Sequence, residues 1–218
     1  MSRRKSPIPD RIEQQSAGWQ AQKSASTRVQ ILDAALHCFA DLGYAGTTMT
    51  AIAEKAGLSR GAMLHHFPAK VDVVRAAVEH LHAKRLKAFQ RSIEKVSQGS
   101  DRPRKALEVC LEHVRHPLYV AFLELWMAAR TDAELLAILR PTEQAFELEW
   151  HRMAVDLWPE WRESPTNLDL ALDLVWYVMD GLAVRLVTHR PRDQELRVIA
   201  FLEEKIRELS QRPAARKS

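Results

Sequence analysis

The sequence predicts an all-α protein of about nine helices, and three observations carry that reading. Apolar residues recur at three- and four-residue steps through most of the chain, the period of a helix face. No stretch sustains the two-residue alternation of a strand, and Asp180-Gly181 lies inside a helical pattern rather than at a hairpin. Glycine and proline stand where the periodic segments stop, as at Gly43, Gly57, Pro68, Pro117 and Pro191.

Residues 1–25 are rich in Ser, Pro, Gln and Arg and poor in large apolar groups, so they are expected to form a flexible basic arm. From about Ser26, Val29, Leu32, Leu36, Phe39 and Leu42 make one helical face, which Gly43 closes. Two short helices follow, over 49–56 and 60–67, and residues 26–72 form one three-helix unit. A long helix to about Val96 carries Val71, Val74, Ala77 (or Val78), Leu81, Leu86 and Phe89. After a loop at 98–103, helices are expected over 104–115, 119–130 and 132–140, the last ended by Pro141. Residues 142–157 present Phe146, Trp150, Met153 and Leu157 at helical spacing. Helices over 167–189 and 192–210 complete a second part, residues 73–218.

With 218 residues the chain can bury a sizeable core. Its 46% apolar and 28% charged residues are ordinary for a globular protein. It holds no apolar run of about 18 residues, and its basic N-terminus lacks the apolar stretch of a secretory signal. A cytoplasmic setting and no membrane partner are expected. Cys38 and Cys110 sit in apolar helical patterns and read as two buried, reduced thiols. The net charge of +4 is unevenly placed. Residues 1–70 hold nine Lys/Arg against five Asp/Glu, whereas residues 71–218 hold 23 of each. The basic excess implies an anionic partner for the first third alone.

Residues 47–70, TTMTAIAEKAGLSRGAMLHHFPAK, place the elements of a helix-turn-helix in order. Thr48 suits the N-cap of the first helix, and Ile52 and Ala53 face inward. Gly57 supplies the turn, Leu58 fills the angle, and Ser59 caps the second helix. Met63 and Phe67, four apart, face the core. Arg60, Gly61, Leu64 and His65 are left on or near the opposite face, which is the arrangement of a helix that enters the major groove.

This run resembles the DNA-binding segment of the TetR/AcrR family of regulators. The resemblance rests on Thr47, Thr48, Ile52, Ala53, Ala56, Gly57, Leu58, Ser59, Gly61, Ala62, Met63, His66, Phe67 and Lys70, and on the helix before them. It implies that Thr47 and Thr48 touch phosphate, and that Ser59, Arg60 and Gly61 approach bases or backbone. His65 and His66 would lie near phosphate, and Lys70 would clamp one. Two residues depart from the pattern. Leu64 stands where the family often has an aromatic, so an apolar touch on a thymine methyl would replace a phenol contact. Ala51 stands where an acidic residue would complete a capping box. The resemblance further implies a homodimer through the last two helices, a pseudo-palindromic double-stranded operator, and a small-molecule effector held in the second part. The function expected is that of a repressor released by its effector. A regulator that is constitutive or controlled by a protein partner is the alternative.

The second part holds five of the six tryptophans. Aromatic and Met stripes at helical spacing serve packing more often than ligands, yet they also suit an apolar pocket. Trp126, Arg130, Trp150, Met153, Trp176 and Asp180 are the expected lining. With Asp180 or Glu124 such a site suits a cation. With Arg130 or Arg185 it suits a carboxylate, and the sequence leaves both open. Cys110, His113 and His116 share a helix face, but no second cluster completes a metal site, so no metal is expected. The chain has no G-x-S-x-G, P-loop or H-E-x-x-H motif. Neither an enzyme nor a cofactor is expected.

Overall fold

The computed structural model describes residues 8–96, 101–189 and 193–211, with side chains from residue 18 onward. Arg3, Arg4 and Lys5 lie outside the described residues. Nine α-helices and one short 3-10 helix account for the ordered elements described. They are α1 (Ile8–Gly46), α2 (Met49–Lys55), α3 (Arg60–His66), α4 (Lys70–Ile93), α5 (Arg102–Arg115), α6 (Pro117–Ala129), α7 (Ala133–Leu157), the 3-10 turn Pro159–Glu163, α8 (Pro165–Thr188) and α9 (Asp193–Gln211).

Two elements differ from the sequence reading. Helix α1 starts at Ile8, not near Ser26, so residues 8–25 of the expected arm continue the first helix. Residues 18–26 of that extension are exposed, so it forms without an apolar stripe that periodicity could detect. The second difference is at Pro141, which does not end a helix. Helix α7 runs through it. A proline removes one backbone donor and costs about 3 kcal/mol in an isolated helix. Here Leu135, Ile138 and Leu139 before it and Phe146 after it are all buried in the core, and packing on both sides outweighs the local penalty.

One apolar core runs from α1 to α9. Ile31, Leu36 and Phe39 of α1 meet Ile52 of α2, Met63 of α3 and Val73 of α4 at the DNA-binding end. The same core continues through Leu81 and Phe89 of α4 into α5–α9. Helix α4 therefore belongs to both parts. A smaller cluster of Trp161, Leu168, Ala171 and Leu209 closes the far end. On α8 and α9 the faces holding Val175, Met179, Leu182, Ala183, Ile199, Leu202 and Leu209 turn into this core. A second apolar face on each helix is left outward.

Two glycines have positive φ. Gly43 has φ 71° and interrupts α1, as the sequence indicated. A Cβ there would also lie 3.0 Å from Glu124 Oε2 of α6. Gly57 has φ 66° at the α2–α3 turn, and a Cβ there would meet nothing within 4 Å. The requirement at Gly57 is thus conformational alone. Gly57→Ala is expected to destabilise the fold by about 1–2 kcal/mol, which lowers Tm by roughly 2–8 °C for a chain of this size. Gly57→Asn should lose less, because Asn tolerates the left-handed region better. Differential scanning calorimetry of both variants checks the order.

Candidate functional site

Helix α3, the second helix of the helix-turn-helix, is held from below and at both ends. Met63 and, just after it, Phe67 are buried. Ser59 caps its start, its hydroxyl accepting from the Ala62 amide at 3.2 Å. Thr48 caps α2 likewise, accepting from Ala51 at 3.1 Å. The carbonyl ends are closed from α1. Arg28 donates to the His66 carbonyl at 3.1 Å and lies over the Phe67 ring at 4.1 Å. Gln30 donates to the Ala56 carbonyl at 2.6 Å. Helix ends leave carbonyls without partners, so α1 satisfies one at each short helix and sets the angle between them. Sequence reasoning missed Arg28 and Gln30, because a polar residue on an exposed helix face carries no local sign of a distant partner.

The outward side of α3 is free of these contacts. Ser59, Arg60, Gly61, Leu64 and His65 are exposed, and His66 is half-buried with its ring edge-on to His65. Arg60 has no ion-pair partner among the described residues. Two residues expected at phosphate are engaged inside the protein instead. Thr47 is 1% exposed, and its hydroxyl donates to the Gly43 carbonyl at 2.8 Å. That bond occupies a carbonyl that the break at Gly43 takes out of the helix ladder. Lys70 Nζ donates to the Tyr44 carbonyl at 3.2 Å and lies 4.7 Å from the Tyr44 ring centre. Partial burial lowers its pKa. Thr48 is exposed, as are the residues of the outer α3 face.

The same turn fastens the helix-turn-helix to the rest of the chain. Tyr44 donates its hydroxyl to Asp132 at 3.3 Å, and Asp132 also caps α7. Asp33 of α1 pairs with His80 at 2.8 Å and Lys84 at 2.7 Å, both on α4.

Inside the helical body lie two adjoining small cavities. The larger, about 60 Å³, is lined by apolar side chains that include Phe89, Trp150, Met153 and Trp161. The other, about 30 Å³, is lined by Arg85, His113, Tyr119, Trp150, Trp176 and Asp180 among others. Trp150, Cys110 and Val175 border both. Of the expected lining, Trp150, Met153, Trp176 and Asp180 are therefore brought together. Trp126 is not. It stacks on Phe122 at the surface and is 46% exposed. Arg130 is exposed at the end of α6 and lines neither cavity.

The charged centre of this region is Arg85, which the apolar pattern passed over in favour of its neighbour Leu86. Arg85 is 2% exposed and Leu86 only half-buried. The signal was present in the i, i+4 spacing of Leu81, Arg85 and Phe89. Burial lowers the pKa of Arg85. Its Nε donates to His113 Nε2 at 3.4 Å, and burial together with that cation holds the imidazole neutral, its pKa down to about 3. Tyr119 donates to Asp180, and both pKa values are raised, chiefly by burial. The Cys110 thiol is likewise pushed up to about 12. His82 faces Glu143 at 2.8 Å. No group of three potential metal ligands occurs among the described residues.

Residues 31–77 match the family described as "Bacterial regulatory proteins, tetR family". The HTH-type transcriptional regulator CymR of Pseudomonas putida is 28% identical, over 82% of this chain and 88% of that protein. The HTH-type transcriptional repressor AcnR of Corynebacterium diphtheriae is 29% identical, over 83% of this chain and 91% of that one. Over residues 31–77, from the middle of α1 into α4, the chain carries the DNA-binding segment of the TetR family. It is a DNA-binding transcription regulator. A TetR-family regulator of Rhodococcus sp. shares its fold at a TM-score of 0.64 and 21% identity, over 86% of this chain and all of the other. The matched segment ends inside α4, so the family signature covers the helix-turn-helix and the start of the helix that leaves it.

Arg28 offers a test of how α3 is held. Arg28→Ala should destabilise the fold by about 1–2 kcal/mol, from one lost charged hydrogen bond and one cation–π contact. It should weaken binding to specific and random DNA in proportion. A gel-shift series on both DNAs, with thermal melts, checks this; a loss confined to one DNA would mean that Arg28 contacts bases.

Proposed function

We propose that this TetR-family regulator is a homodimeric repressor that binds a pseudo-palindromic operator and is released by a small-molecule effector. The observation that carries the reading is the contrast between the two sides of α3. Its inner side, both ends and the preceding turn are fixed by the protein, while Arg60, Gly61 and Leu64 are exposed and His65 touches only the ring of His66. A helix so held can be placed in the major groove as a rigid body. Thr48 and His65 stand where phosphates would flank it, and Lys70 would reach one only with the donors that its bond to Tyr44 leaves. Leu64 would supply an apolar contact to a thymine methyl.

The outward faces of α8 and α9 support the dimer. Leu170, Tyr177, Gly181 and Val184 lie on one line of α8, and Tyr177 is 70% exposed. Val198 and Phe201 of α9 are also exposed, Phe201 by 60%. Paired across a two-fold axis, these helices would set two recognition helices about 34–36 Å apart, one turn of DNA. The inner faces of the two helices, with Val175, Met179, Ile199 and Leu202, are taken up by the core, so the interface would use their opposite sides.

The cavities beside Trp150 support an effector, and α4 supports the means of release. Helix α4 begins at Lys70, held to the turn of the helix-turn-helix, and carries Arg85 and Phe89 at the cavities. An effector that favours a different seating of α4 would shift the spacing of the recognition helices. The small volume of the cavities favours the second reading, a regulator without a small-molecule ligand. An operator affinity that no small molecule alters would decide for it.

Arg60→Ala should weaken operator binding by about 1–3 kcal/mol and relax discrimination at one base pair. Equal losses on operator and random DNA in a binding titration would remove Arg60 from base readout. Val184→Glu should convert the dimer to a folded monomer in sedimentation velocity and abolish tight operator binding. A dimer that persists unchanged would place the interface elsewhere.

A further inference from the structure

A guanidinium removed from water is stable when carboxylates and hydrogen-bond acceptors surround it. Arg85 departs from this rule. No carboxylate lies within ion-pair distance of it among the described residues. Glu143 is turned to His82, and Asp180 accepts from Tyr119. What surrounds Arg85 is a cage of ring faces, with Phe122 at 4.0 Å, Phe146 at 4.7 Å and Tyr119 at 4.9 Å. Its NH1 is buried without a hydrogen-bond partner in the protein. So is Nε1 of Trp150. Both residues line the smaller cavity, and Trp150 also lines the larger, apolar one. Two residues with buried, unpartnered donors thus border one space, which adjoins the apolar cavity.

On its other side Arg85 borders a groove of about 680 Å³ between α1, α4, α5 and α6. Lys84, Lys87 and Arg91 line that groove against Glu112, with Lys84 already paired to Asp33. The approach to Arg85 is therefore electropositive, and a field of that sign concentrates anions.

We infer that the effector is a compact apolar monocarboxylate, its carboxylate bound by Arg85 NH1 and Trp150 Nε1 and its hydrocarbon lodged around Trp150. A cation is disfavoured by Arg85, and a dianion by the neighbouring Asp180 and Glu143. The cavities are small, so a bound acid must move the Trp150 indole. That ring lies 4.0 Å from the ring of Phe89, one turn beyond Arg85 on α4. The carboxylate and the hydrocarbon would thus both act on the helix that enters the DNA-binding end. This inference deepens the effector-released reading and rests on it for the consequence at the operator, while the binding is measurable by itself.

Calorimetric titration of the full-length protein with phenylacetate and octanoate tests it, with phenylacetamide and phenethylammonium as isosteres. The carboxylates should bind at least about tenfold more tightly than the amide, and the ammonium not at all. Arg85→Met should remove at least about tenfold of the carboxylate affinity and leave the amide unchanged. If that variant does not fold, Trp150→Phe keeps an aromatic ring of smaller size, loses the donor, and should lower carboxylate affinity about three- to tenfold while leaving the amide less affected. No heat from either acid, equal affinity for acid and amide, or an equal response to inorganic phosphate would overturn the inference. Operator gel shifts run separately. Carboxylate binding as expected with unchanged operator affinity would uphold the site and defeat the release mechanism.

Discussion

The positive φ at Gly43 is the constraint on which the arrangement of the two parts depends. Without it α1 would continue straight past α6. With it the chain turns back, and Gly43, Tyr44 and Thr47 supply three fastenings. The Gly43 carbonyl takes the Thr47 hydroxyl, the Tyr44 carbonyl takes Lys70, and the Tyr44 hydroxyl reaches Asp132. Any side chain at Gly43 would meet both the backbone strain of that φ and the carboxylate of Glu124. The turn therefore joins α1 to the starts of α4 and α7 at one place, and the orientation of the helix-turn-helix follows from it.

The features that sequence made legible are those whose cause is local. A cap residue, the turn glycine and the buried residue four places on act within one or two turns of helix. Thr48, Gly57, Ser59, Met63 and Phe67 all take the positions that their types and spacing imply. Features with distant causes were not legible. Pro141 reads as a stop until buried residues on both sides hold the helix through it. Thr47 reads as a phosphate ligand until the carbonyl exposed at Gly43 captures its hydroxyl. Trp126 reads as lining because its neighbours are apolar, but the helix turns it outward.

Arg85 shows the same limit in the opposite sense. An arginine within an amphipathic helix is normally a solvated charge, and choosing Leu86 for the inner face obeys that rule. The chain instead places the cation between Leu81 and Phe89, on the core line. Lining that position with rings lowers the cost of burial, since the faces of Tyr119, Phe122 and Phe146 attract a cation, though more weakly than a carboxylate would. Replacing such a group by an apolar one of similar size often stabilises a protein. Its presence is therefore a local inconsistency of the kind that functional sites carry.

That inconsistency lies on the helix best placed to transmit it. Helix α4 is tied to α1 through Asp33 at its middle and through Lys70 at its start, so a displacement near Arg85 and Phe89 is not absorbed by a loop. It must be taken up either by those ties or by the whole helix. The tie of Asp33 to Lys84 is a half-exposed ion pair worth at most about 1 kcal/mol, and that to His80 is a single side-chain hydrogen bond, so both yield easily. The DNA-binding end is held by a buried core and by hydrogen bonds to helix ends, which do not. A push at Arg85 would then move α2, α3 and the part of α1 packed on them together rather than deform them. In the proposed dimer such a motion would change the distance between the two α3 helices.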